Sequence, residues 1–207
     1  DIIGGHTEIT SAVNRFVIIS TAVGKVLKDK LVTTSGARPG DYVVMTKTAG
    51  IEGTAIIAAD KEEELVKALG REVTDKAKSF INSISAVKDG VVAGRFGVNS
   101  MHDATEGGVL GAVWEIAEAS GVGVVIYKDK IPVADATLKI CEYYKLDPLK
   151  LISSGCMIMT CQDGDGLARE LERNNIKATV IGKITKEPAR ILVDKERREE
   201  IGQPESD

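Results

Sequence analysis

The chain has 207 residues, 43% of them hydrophobic and 28% charged, with a formal net charge of −4; it can bury a core as one large domain, or as one domain with part of another. That acidic balance and an aromatic content of 4% supply neither the basic footprint nor the stacking surface of a nucleic-acid binder. No run approaches the roughly eighteen apolar residues of a membrane span, and the opening DIIGGHTE has no basic segment followed by an apolar one, so a cytoplasmic protein with no membrane partner is expected.

The first element predicted is a buried strand over Arg15–Gly24, RFVIISTAVG, a β-branched apolar run closed by glycine. A polar connection with Gly36, Pro39 and Gly40 follows and is the best candidate for a domain boundary. DYVVMT (41–46) reads as a second strand, GIEGTAIIAAD as a short helix, and 61–90 as one or two more helices with acidic starts and basic later turns. From Gly107 to Ser120, Val109, Leu110, Val113, Ile116 and Ala117 line one helical face. GVGVVIY then reads as a strand, ADATLKICEYYK as a helix, GCMIMTC as a strand and DGDGLARELERNN as a helix. KATVIGKIT and ARILVD close as strands, and the tail KERREEIGQPESD reads as solvated and partly frayed. The expected fold class is α/β in the layered α+β sense, a mixed β-sheet flanked by helices.

The motifs exclude several chemistries. There is no GxxxxGK[ST] P-loop and no GxSxG elbow, and GVGVVI lacks the third glycine of a dinucleotide fingerprint. Cys141, Cys156 and Cys161 form an odd set without a CxxC pair, so buried free thiols are expected in place of disulfides or structural zinc. His6 and His102 have no helical partner for a transition-metal clamp.

Three polar clusters remain. In Gly4-Gly5-His6-Thr7-Glu8, adjacent glycines allow close backbone approach to a phosphate, with a hydroxyl and a carboxylate beside it; a tight turn explains the same residues. In SMHDATEGG (100–108), Thr105 is a candidate N-cap and Asp103 sits just outside the first turn of the following helix. A carboxylate beside a phosphate-binding helix end needs a cation between the two anions, and Mg2+ takes one or two carboxylates plus phosphate oxygens. Alternatively, Asp103 merely favours the positive helix end, worth about 0.3–1 kcal/mol. In LISSGCMIM, Ser153, Ser154 and Gly155 either line a pocket or make a turn.

GGHTE, GDYVVMTKTAGIEGTAIIA, HDATEGGVLGAVWEIAEASGVGV, Ile131-Pro132 and LISSGCMIMT stand in the order seen in the aminoimidazole ribonucleotide (AIR) synthetase-like superfamily, and the resemblance covers nearly the whole chain. It is nearest to the C-terminal domain of hydrogenase-maturation HypE-type members: HDATEGG resembles their Asp-x-Thr-x-Gly-Gly stretch, whereas thiamine-monophosphate kinases carry Asp-x-Ser-Asp-Gly and selenophosphate synthetases Asp-x-Thr-Gly-Phe-Gly. GGHT is nearer to the selenophosphate synthetases. The resemblance implies ATP-dependent phosphorylation of a substrate oxygen that is thereby activated, with ATP and Mg2+ as cofactors and an unidentified acceptor substrate. By similarity Gly4, Gly5, His6 and Thr7 contact nucleotide, Asp103 binds magnesium, and Thr105, Gly107 and Gly108 shape the phosphate-facing turn; no general base is assigned.

The division implied is 1–36 as the remnant of an N-terminal ATP-binding domain and 37–207 as the C-terminal domain, with homodimers formed by the full-length protein. HypE-type members end in a tail with a terminal cysteine, and this sequence has none after Cys161. The rival expectation is a non-catalytic domain of the same fold that docks a maturation partner. The resemblance also leaves open a thiamine-monophosphate kinase-like or a selenophosphate synthetase-like enzyme.

Overall fold

A strand's backbone groups must be paired by neighbouring strands, and the apolar runs after residue 40 find such neighbours in one another. The computed structural model describes residues 1–204. It comprises two units, Asp1–Leu31 and a second that begins at Val32. The second runs β1 (Tyr42–Thr46), α1 (Ile51–Asp60), α2 (Glu62–Leu69), α3 (Arg71–Lys78), α4 (Val87–Phe96), β2 (Ser100–Asp103) and α5 (Gly108–Ser120). Then come β3 (Gly123–Tyr127), α6 (Asp135–Tyr144), β4 (Met157–Cys161), α7 (Gly164–Arg173), β5 (Ala178–Thr185), β6 (Arg190–Asp194) and β7 (Arg197–Glu200). The strands make one mixed sheet in the order β2-β4-β1-β5-β3-β6-β7. Among the seven named strands of the described residues, β3 and β6 are the one pair that runs parallel.

Alternation along the strands divides the core. Val43 and Met45 of β1, Ile158 of β4 and Ile126 of β3 pack with Val109, Val113 and Ile116 of α5 on one face. Val44, Met157 and Met159 pack with Leu167 and Leu171 of α7 and Val92 of α4 on the other. Ile51, Ala55, Leu65, Phe80 and Ile140 form a third, helical core. Val113 and Ile116 are 2% and 1% exposed, and burying each such side chain contributes about 1.5–3 kcal/mol. The period-3.6 stripe of α5 is therefore what binds it to the sheet and fixes where its N-terminus lies.

Several stretches depart from the sequence reading. Arg15–Gly24 is not a strand: it has no regular secondary structure, and Phe16 and Ile18 are 100% and 87% exposed. Its β-branched composition is suited to a ladder, but the 31-residue unit contains no second strand to pair with. Ser100–Asp103, read as part of the polar stretch leading into a helix, is strand β2, with His102 opposite Ile158 and Asp103 opposite Met157. The tail contributes β7, whose four residues are exposed while their backbones pair with β6, and Ile201 after it is buried. The rest of that tail reading, Glu205–Asp207, lies outside the described residues.

Candidate functional site

Asp103 ends β2 and is followed by a turn bolted to its surroundings through backbone groups. The Ala104 N–H donates to the Cys156 carbonyl at 3.0 Å, and the Ala104 carbonyl accepts from the Ser153 N–H at 3.0 Å. The hydroxyl of fully buried Ser153 donates to the Leu151 carbonyl at 2.8 Å and accepts from the Gly50 N–H at 2.6 Å. Ser153 is thus a turn-forming residue, its polar groups spent within the chain. One step further on, the Gly155 carbonyl receives the Lys47 ammonium, which also donates to the Ser85 carbonyl at 2.9 Å and pairs with buried Asp89 at 3.0 Å.

Helix α5 starts later than the sequence suggests. Its N-cap is Gly107, in the left-handed region with φ +70, and no side chain caps it; Thr105 does not serve as the cap. The reason is steric. The carbonyls of Leu149 and Leu151 would lie 2.7 and 2.6 Å from a β-carbon at Gly108, where φ is +61, so a backbone that only glycine adopts without strain brings the helix up against that segment. The Gly108 N–H donates to the Thr105 carbonyl at 3.0 Å and the Leu110 N–H to the Leu149 carbonyl at 3.1 Å. Two first-turn donors are therefore satisfied by the chain itself. Pro204 packs over Gly107, 2.6 Å from where a β-carbon would sit. The glycines of the motif are accounted for by packing as well as by any ligand.

Around this turn the charges are acidic. The Asp103 side chain is 55% exposed, and among the described residues no lysine or arginine lies within ion-pair distance of it. Glu106 folds back on the turn, where its own backbone N–H, then the Thr105 hydroxyl, hold its carboxyl below the usual carboxylate range. The ring of His102 stands between β2 and α5, with Nε2 2.8 Å from Glu115 Oε2 and Nδ1 2.8 Å from the Asp103 carbonyl oxygen. A cleft of about 390 Å³ opens beside the first turn, bordered by Gly107, Gly111, Asp147, Lys150, Glu199 and Gln203.

The structure places Asp103, Thr105, Gly107 and Gly108 in one turn of the second unit. Gly4, Gly5, His6 and Thr7 belong to the first unit, where all four are exposed and nothing lies within 4 Å of a β-carbon added at either glycine. His6 reaches Glu8 at 3.7 Å. All three cysteines are buried and free. Burial pushes the Cys141 and Cys161 thiols up to about 11, and that of Cys156 up as well. Among the described residues no group of three or more His, Cys, Asp or Glu side chains could hold a metal, and no helix is long and apolar enough to cross a membrane. Sequence reading passed over Glu115 and Glu106, because their roles depend on a strand and a turn that periodicity does not reveal.

Residues 38–195 match the family model described as AIR synthase related protein, C-terminal domain. The chain belongs to that family. Among curated proteins it is 28% identical over 200 residues to a hydrogenase expression/formation protein of Methanocaldococcus jannaschii, covering 93% of this chain and 56% of that protein. It is 34% identical over 152 residues to the carbamoyl dehydratase HypE of Cupriavidus necator, covering 72% and 40%. The chain thus spans about half the length of the curated relatives it matches. Escherichia coli HypE has the same fold, with a TM-score of 0.70 at 23% identity over 85% of this chain and 53% of that one. A HypE structure in complex with ATP matches with a TM-score of 0.65 at 17% identity, over 88% and 56%.

Proposed function

We propose that this chain is the C-terminal part of an ATP-dependent enzyme of the AIR synthase and HypE-like group, which phosphorylates and so activates a substrate oxygen in hydrogenase-maturation chemistry in the cytoplasm. In this reading residues 1–36 close the N-terminal ATP-binding domain, and the full-length protein is a homodimer. One observation carries the reading: the Asp103 carboxylate stands exposed at the end of β2, neither capping α5 nor paired with a lysine or arginine among the described residues.

The donor set fits Mg2+ in its usual mode. A single hard carboxylate oxygen cannot form a protein cage, but Mg2+ takes one or two carboxylates and completes its shell with phosphate oxygens and water. When bound, the cation supplies charge neutralisation at the polyphosphate. Asp103 would hold it, while Thr105, Gly107 and Gly108 shape the turn that faces phosphate. Gly4, Gly5, His6 and Thr7 are proposed as nucleotide contacts of the first unit. The positive end of α5 adds a fixed partial charge favouring an anion. Support comes from the family match, from the HypE relatives and from the ATP-bound protein of the same fold.

Thermal unfolding with ATP and Mg2+ tests this, on the 207-residue chain and on a version extended upstream, each also as Asp103→Ala. A ligand at a hundred times its Kd stabilises by about 2.7 kcal/mol, so the extended chain is expected to show a clear rise in Tm that Asp103→Ala abolishes. No shift in either version overturns the enzyme reading. It would favour a non-catalytic domain that docks a maturation partner, a reading supported by the first-turn donors of Gly108 and Leu110 already being occupied by the chain.

A further inference from the structure

The alternation of β2 makes the position of His102 informative. His102 lies opposite Ile158, whose side chain faces α5, and Asp103 lies opposite Met157, whose side chain faces α4 and α7. Strand geometry alone sends neighbouring side chains to opposite faces. Yet His102 Nδ1 lies 3.4 Å from Asp103 Oδ1, and the same nitrogen lies 2.8 Å from the Asp103 carbonyl oxygen. The ring has been brought to the strand end to meet both groups of one residue.

What brings it there is the other nitrogen. Nε2 is 2.8 Å from Oε2 of Glu115, on α5. Each ring nitrogen thus faces an oxygen of a different element, Glu115 on α5 and Asp103 at the end of β2. The other acids nearby are engaged elsewhere: Glu118 pairs with Arg190, Asp147 accepts from the Leu149 N–H at 2.9 Å, and Glu106 is held by its own turn. The His102 side chain is 21% exposed, against 55% for Asp103 and 43% for Glu115, so the linking group is the most sheltered of the three.

We propose that His102 is a positioning residue for Asp103: anchored to α5 through Glu115, its ring fixes the Asp103 peptide and sets the direction of the Asp103 carboxylate. This rests on the reading of Asp103 as the residue that holds the cation. A hydrogen-bonded neighbour that orients a metal-binding carboxylate commonly controls metal affinity by about 10–100-fold.

The test uses the chain extended upstream, with His102→Asn, His102→Gln, Glu115→Gln and Asp103→Asn. Mn2+ binding in the presence of ATP is followed by electron paramagnetic resonance, and amide exchange of residues 104–107 by NMR. The asparagine amide can replace Nδ1 toward the Asp103 carbonyl, whereas the glutamine amide reaches toward Glu115 instead. Expected is a loss of Mn2+ affinity of about 10–100-fold in His102→Gln with faster exchange of the turn amides, substantial recovery of both in His102→Asn, and a smaller loss in Glu115→Gln. Wild-type affinity and exchange in His102→Gln overturn the clamp. Equal losses in His102→Gln and His102→Asn, tracking equal falls in Tm, mark a merely structural histidine and also overturn it. If Asp103→Asn binds Mn2+ and ATP as the parent chain does, the metal reading fails by itself. The exchange data then decide the clamp: faster exchange in His102→Gln sustains it, and unchanged exchange removes it.

Discussion

Helices α5 and α7 are each preceded by an aspartate, and they use it differently. Ahead of α7, Asp163 turns its carboxylate onto the helix and accepts the Gly166 N–H at 2.8 Å. Ahead of α5, Asp103 makes no such bond; the helix is opened by Gly107 and closed off by main-chain carbonyls of Thr105 and Leu149. The two helix starts look alike in sequence, with small and acidic residues before a periodic run. In α7 the acid is explained by the first-turn donor it satisfies, the Gly166 N–H. In α5 the Gly108 and Leu110 donors are met by backbone, which leaves an exposed carboxylate whose placement the helix does not require.

Substitutions at the two starts should therefore rank in a definite order, read by urea unfolding followed by circular dichroism. Gly108→Ala is expected to cost the most, about 3 kcal/mol, because a left-handed non-glycine residue costs roughly 1–2 kcal/mol and the Leu149 and Leu151 carbonyls must also give way. Gly107→Ala carries the same backbone strain but meets the Pro204 side chain, and about 1–2 kcal/mol is expected. Asp163→Ala removes a true cap and should cost about 1 kcal/mol. Asp103→Ala, with no cap and no Lys or Arg partner to lose, should stay within about 0.5 kcal/mol. If Asp103→Ala destabilises as much as Asp163→Ala, the distinction collapses and Asp103 becomes another helix-end acid. If it leaves stability untouched and abolishes the nucleotide response, the distinction sharpens into one of function against structure.

Much of the fold could be read in advance, and the exceptions have a common cause. α5 was legible because Val109, Val113 and Ile116 follow the helical period and all are buried against the sheet. β1, β4 and β5 were legible as apolar runs. β2 was not, since Ser100, Met101, His102 and Asp103 carry no β-branched residue; it is a strand because β4 offers it a ladder and the Ser100 and Thr160 hydroxyls meet at 2.8 Å. Arg15–Gly24 fails in the opposite sense, having strand composition and no partner within its unit. Strand pairing is non-local, and local composition can neither supply nor withhold it. At the site, the Asp103 turn was legible as a motif. The His102–Glu115 link was not, because it joins a strand no pattern announced to the second turn of a helix. Nor was the packing that makes Gly107 and Gly108 necessary, because Leu149, Leu151 and Pro204 arrive from elsewhere in the chain.

The outermost strand, β7, spells Arg-Arg-Glu-Glu with every side chain in solvent. A sheet edge with unpaired amides invites another chain to extend it, and charges along such an edge oppose that extension because they would have to be stripped of water or matched residue by residue. At this border the fold therefore carries a guard against fibre-like growth, and any specific self-association of the second unit is directed to its other surfaces.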